Sequence, residues 1–179
     1  YLHRRQRQMC IRDRIFSEQI KHGAWGITAG AINQIQVMFD FGIKKVLLAN
    51  QLLGKSHLET IASYINQNKN FSFYCFVDSI EQFLNIKKNL GDQNLTNPIN
   101  LLPEVGAENG RTGIRKKEDF LKLVNIIGED SSKNFTFAGI SSYEGIAAVA
   151  MKGSDAVHDF CSKIEDCLLY TSDAADDAG

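Results

Sequence analysis

The sequence predicts an α/β fold: a partial (β/α)8 TIM-type barrel with about five βα units present. Three observations predict it. Short apolar runs alternate with amphipathic stretches along residues 15–166, the pattern of a parallel sheet with right-handed crossovers. No hairpin turn signal separates the runs. Neither a GxGxxG nor a P-loop turn follows any of them, which argues against an open doubly wound nucleotide-binding sheet.

The strands are predicted at Trp25–Ala29, Lys45–Ala49, Phe71–Val77, Ile99–Pro103 and Phe135–Ile140, apolar runs of the kind buried parallel strands require. Helical stripes lie between them. Ile32, Ile35, Met38 and Phe39 form the first. Leu58, Ile61, Ala62 and Ile65 repeat at i, i+3, i+4, i+7, as do Phe120, Leu123, Val124 and Ile127. Val157, Phe160, Cys161 and Ile164 form a stripe after the last strand. Ser56 with Glu59 and Ser79 with Gln82 have capping-box spacing at helix starts. Gly42, Gly91 and Gly128 stand where helices are expected to stop.

The two ends read differently. Arg4–Arg14 and Cys167–Asp177 lack hydrophobic periodicity, turn chemistry and a targeting pattern. Cys167–Asp177 back-translates to a DNA string whose reverse complement, in another frame, encodes Arg5–Asp13 and then a codon start suited to Arg14. The string resembles a transposase-type sequencing adapter. Residues 1–14 and 167–179 are therefore expected to be adapter-derived artefact flanking a partial barrel at 15–166. The competing reading is a basic nucleic-acid-binding arm and an acidic tail.

Setting the ends aside removes five of the 20 basic and four of the 21 acidic residues, leaving 15 against 17, a net charge of −2. That balance gives no electrostatic reason for a nucleic-acid or anionic-membrane partner. No apolar run approaches the ~18–20 residues that span a bilayer. The remaining cysteines, Cys75 and Cys161, are isolated, which fits a reducing cytoplasm and neither a disulfide framework nor a zinc motif.

In a barrel, chemistry sits at the C-terminal strand ends and the loops that follow. That rule selects Thr28, Asn50 with Gln51, Asp78, the segment Glu104–Gly113 and the run Ser141–Gly145. Taken singly, each has a structural alternative. Asn50-Gln51 reads as a cap or loop contact, Asp78 as a helix-entry residue and Gly110–Gly113 as a glycine turn. His22, His57 and His158 have no ligand spacing and read as surface or helix residues.

Taken together and in order, GAWGIT (23–28), LLANQ (47–51), EVGAENGRTG (104–113) and FAGISSYEG (137–145) resemble successive blocks of one family. It comprises the D-serine deaminases and related amino-acid deaminases, with the D-threonine aldolases as close cousins. All are built on the alanine-racemase-type barrel of fold type III pyridoxal-phosphate enzymes. The resemblance covers Ile15–Val149 and fades beyond Met151.

It implies a pyridoxal 5′-phosphate cofactor and a small D-amino acid substrate, with Cα deprotonation and β-elimination in a deaminase. Arg111 would reach the cofactor's phenolic oxygen, where an always-charged donor fork is suited. Tyr143 would lie against the cofactor, with Thr28, Asn50, Gln51 and Glu104 facing the same cavity. The Schiff-base lysine of the family would fall near Gln8, inside the adapter-like segment, so no catalytic residue is assigned. A divalent metal, Zn or Mn, would come through a C-terminal β domain that the sequence lacks. Relatives are often homodimers. Alternatives implied by the same resemblance are an aldolase and a small barrel that binds the cofactor for homeostasis without catalysis. The printed chain is expected to be inactive.

Overall fold

A computed structural model describes residues 14–146 and 155–176 of the chain. Gln8 and the rest of 1–13, together with 177–179, lie outside the described residues. Residues 14–21 are helical. Then follow β1 (Ile27–Ala29), α1 (Ile32–Asp40), β2 (Lys45–Gln51), α2 (Lys55–Gln67), β3 (Ser72–Val77), α3 (Ile80–Leu90), β4 (Ile99–Val105), α4 (Lys117–Gly128), β5 (Phe135–Phe137), β6 (Ser141–Ser142), a 3₁₀ turn at Glu144–Ile146 and α5 (Ala156–Asp176).

The strands pair in parallel in the order β1-β2-β3-β4-β5, with β6 also on β4. Sequential order without reversal distinguishes a barrel wall from a doubly wound sheet. Burial agrees. Along β2, β3 and β4 the residues facing the helices (Val46, Leu48, Phe73, Cys75, Val77, Leu101) are buried, while the alternate residues are only half-buried. One register row on that second face runs Thr28, Leu47, Tyr74, Asn100, Thr136. The helices thus cover one face, as in a (β/α)8 barrel, and the chain holds a partial barrel.

The helical stripes dock as the spacing requires. Ile35 and Met38 of α1, Leu58, Ile61, Ala62 and Ile65 of α2, and Phe120, Leu123 and Ile127 of α4 are buried. Ile32, Phe39 and Val124 pack partly buried against them. Phe160 anchors α5.

Several local expectations change. Trp25 is 58 % exposed and precedes β1; its ring meets Tyr74 edge-on and Lys45 Nζ lies 4.7 Å from its centroid. Ser56 lies inside α2 and caps nothing, because the helix begins one residue earlier with Gly54 at the N-cap. Ser79 does cap α3, its hydroxyl accepting from Gln82 N at 3.3 Å. Gly128 is the last residue of α4 rather than a stop beyond it. The fifth predicted strand is broken. Leu101↔Phe137 is followed by Glu104↔Ser141, so four residues on one strand face three on β4, and Gly139 adopts φ +133° in the gap. That extra residue is a β-bulge, and it divides Phe135–Ile140 into β5 and the approach to β6.

The backbone of α5 continues helical through Cys167 to Asp176. Extending an established helix is favourable, and Leu and Ala are strong helix formers. Cys167 is buried, whereas Leu168, Leu169 and Tyr170 are exposed.

Candidate functional site

The C-terminal ends of β2, β3 and β4 converge on a carboxylate pair bridged by an amide. Gln51 Nε2 donates to Asp78 Oδ2 at 3.0 Å and to Glu104 Oε2 at 3.4 Å. Thr112 Oγ1 donates to the other Glu104 oxygen at 2.8 Å. All four residues are partly buried. Burial pushes the Glu104 carboxyl up and the Asp78 charge adds to this, while Thr112, Arg111 and Arg115 oppose it; the balance lies above the ordinary range.

Local backbone explains how Gln51 arrives. Between Leu48↔Cys75 and Gln51↔Phe76 the register slips, so β2 carries two more residues than β3. Bulges re-aim side chains at barrel rims. Here the slip sets Gln51 beside Phe76 and within reach of both acids. Asn50 instead serves the loop: its Nδ2 donates to the Gly30 carbonyl at 3.4 Å and its Oδ1 accepts from Gln51 N.

Asp78 is held by a residue the sequence offered only as a cap partner. Gln82 is 4 % exposed; its Oε1 accepts from Asp78 N and its Nε2 donates to the Phe76 carbonyl, both at 3.0 Å. The Gln82 side chain fixes the β3–α3 turn, and with it the aspartate.

The Gly106–Gly113 loop folds back onto β4. Ile114 N donates to the Glu104 carbonyl at 2.7 Å and Gly106 N to the Ile114 carbonyl at 2.9 Å. Gly113 sits at φ +86°, and a Cβ there would stand 2.5 Å from Gly106 N. Only glycine allows both that conformation and that approach. Gly113 of GRTG is therefore structural, and the loop it closes carries Arg111 and Thr112 to the rim. Arg111 is exposed and close enough to Glu104 to lower its proton affinity.

The remaining predicted residues scatter. Thr28 is exposed on β1 in the same register row as Leu47, two strands from the Asp78 end of β3 and three from Glu104 on β4. Tyr143 is 64 % exposed and its ring lies over Gly145, where an added Cβ would come 2.7 Å from the hydroxyl. Ser142 Oγ donates to the Val105 carbonyl at 3.1 Å, stitching β6 to the end of β4. His22, His57 and His158 are exposed, as the sequence implied. A cleft of about 430 Å³ beside the carboxylates is lined by Asp78, Ser79, Arg115, Lys116 and Asp119, between the starts of α3 and α4.

With the rim in place, the chain can be compared with known proteins. No protein-family model matches it, and no curated protein does. Solved structures do. It superposes on D-threonine aldolase from Filomicrobium marinum with a TM-score of 0.72 at 22% identity, over 89% of this chain and 43% of that one. On alanine racemase from E. faecalis the TM-score is 0.63 at 15% identity, over 82% of this chain and 37% of that one. It carries the fold they share. The chain spans less than half the length of either.

The rim can be tested against pyridoxal phosphate. Arg111, Gln51 and Glu104 bring a cation and polar groups to the rim, a donor set that would suit the polar edge of such a ring. The covalent anchor is not met among the described residues. Lys55 starts α2 and pairs with Glu59 at 3.9 Å, Lys116 precedes α4, and Lys163 of α5 donates to the Arg115 carbonyl. These all belong to the helical layer, while Lys45 stands at the opposite end of β2, over Trp25. Among the described residues no group of three or more His, Cys, Asp or Glu could hold a metal ion, and no helix is long and apolar enough to cross a membrane.

Proposed function

We propose that the chain is the barrel portion of a pyridoxal-phosphate-dependent lyase acting on a small D-amino acid, foremost a D-serine-deaminase-like ammonia-lyase. The observation that carries the reading is the Gln51–Asp78–Glu104–Thr112 cluster, with Arg111 beside it, at the C-terminal rim of a barrel wall. The ordered sequence blocks support it. Pyridoxal phosphate, when bound, supplies an electron sink for cleavage at the substrate's Cα.

The chain's own residues bind and orient. Arg111 offers a permanent cation to an oxyanion at the rim. Gln51 spans the two acids and keeps their mutual repulsion from splaying the strand ends. Glu104, its proton affinity raised chiefly by burial, accepts from Gln51 and Thr112 on its two oxygens and is thereby fixed at the rim. Thr28, Asn50 and Tyr143 are assigned to the cavity's outer margin. The covalent lysine, a divalent metal and any homodimer contact are assigned to parts of the parent outside the described residues. The compartment proposed is the cytoplasm, and no nucleic acid or membrane partner is assigned.

The aldolase reading stands second, favoured by the superposition on a D-threonine aldolase. A cofactor carrier without catalysis stands third. The test is the parent reading frame extended beyond residues 15–166, purified and given D-serine and D-threonine. Ammonia with a keto acid supports the deaminase; glycine with an aldehyde supports the aldolase. Retained cofactor with neither product supports the carrier, and failure to retain pyridoxal phosphate sinks all three. Residues 1–179 by themselves are not expected to hold the cofactor covalently.

A further inference from the structure

Arg115 is not part of the carboxylate cluster, yet both arms of its guanidinium turn back on the loop that carries Arg111. Nη1 donates to the Gly113 carbonyl at 2.7 Å and Nη2 to the Gly110 carbonyl. Those carbonyls bracket Arg111 and Thr112. From outside, Lys163 of α5 donates its Nζ to the Arg115 carbonyl.

We propose that Arg115 is a positioning residue: its fork, borne on a backbone carbonyl that Lys163 of α5 holds, clamps residues 110–113 so that Arg111 and Thr112 meet the rim in one arrangement. The proposal rests on the reading of Arg111 as the cofactor's contact.

The physical case is one of constraint. The segment contains two glycines, and Asn109 and Gly113 both hold positive φ, at +58° and +86°. Such a turn is conformationally permissive and needs external bonds to select one shape. On its near side it has the Gly110 N to Ala107 carbonyl bond, and on its far side the Ile114 pairing with β4. Between those ends the segment is held by the Thr112–Glu104 bond and the two from Arg115. Charge-assisted bonds from a rigid planar fork fix two carbonyls at once, which a lysine ammonium cannot do in the same geometry. The same guanidinium also moderates Glu104.

The test uses the full chain with Arg115→Lys and Lys163→Met. Arg115→Lys keeps the charge and the trypsin site but loses the fork. The readouts are the rate of trypsin cleavage after Arg111, hydrogen exchange at the Thr112 amide, and pyridoxal 5′-phosphate affinity by equilibrium dialysis. Arg115→Lys is expected to speed cleavage after Arg111 about tenfold or more, with other sites and far-UV dichroism unchanged. It is also expected to weaken cofactor affinity. Lys163→Met, which leaves the fork and the core in place, is expected to raise the same cleavage less. Unchanged cleavage and exchange in both variants would overturn the clamp, and should Arg115→Lys fail to fold, Lys163→Met alone decides. A loop that opens while Arg111→Ala leaves cofactor affinity unaltered would instead refute the role given to Arg111, with the clamp intact.

Discussion

Replacing Gly113 by alanine isolates what that glycine does. Two costs arise. At φ +86° an L-residue pays about 1–2 kcal/mol for the left-handed backbone. The new methyl would also lie 2.5 Å from Gly106 N and 2.6 Å from its Cα, so the loop must lift from β4. Lifting strains the Ile114 N to Glu104 and Gly106 N to Ile114 bonds, each worth about 0.5–1.5 kcal/mol net. The sum is about 2–5 kcal/mol. Gly42→Ala is the control: φ is +72° there, but nothing lies within 4 Å, so only the backbone cost of about 1–2 kcal/mol applies. Urea unfolding of both variants in dilute solution, with hydrogen exchange at Gly106 and Ile114, measures the difference. Equal losses of stability, with the two amides still protected in Gly113→Ala, would refute the reasoning.

Other outcomes follow from the same contacts. Asn134→Ala removes four bonds, three from Nδ2 to the carbonyls of Leu90, Gly91 and Gln93 and one that Oδ1 accepts from Leu95 N, and is expected to cost about 2–4 kcal/mol in a urea melt. Because Glu104 is raised above its unfolded value, its contribution favours the fold at low pH and is lost as pH climbs through the ordinary carboxylate range towards the raised value. Glu104→Gln should flatten that part of the stability profile, and Thr112→Val should steepen it. Asp130 runs the other way. Burial alone would raise it, but Lys87 at 2.7 Å and Ser132 hold it below the usual value, so its stabilisation is lost as pH falls through the acid range; Asp130→Asn should remove that acid sensitivity. The outer edges of β1 and β5 have no partner strand among the described residues, so sedimentation of the printed chain is expected to show concentration-dependent association. A monodisperse monomer across a tenfold concentration range would contradict this.

Sequence by itself determined the element order, the core and the end of the sheet where polar groups gather. Apolar periodicity names Leu58, Ile61, Ala62 and Ile65 because a helix brings such residues to one face whatever surrounds it. Alternation of strand and helix then leaves few parallel topologies. Tertiary structure alone decided which polar residues meet. The slip in β2 that turns Gln51 to Asp78 and Glu104, and the bulge at Gly139 that splits the fifth strand, depend on how two strands pair. Gln82 behind Asp78, Arg115 behind the loop and Asn134 across three carbonyls act through hydrogen bonds to distant or folded-back backbone. Periodicity records which side of an element is apolar. It carries no register between elements and no direction for a polar side chain, and those two quantities place the carboxylate pair.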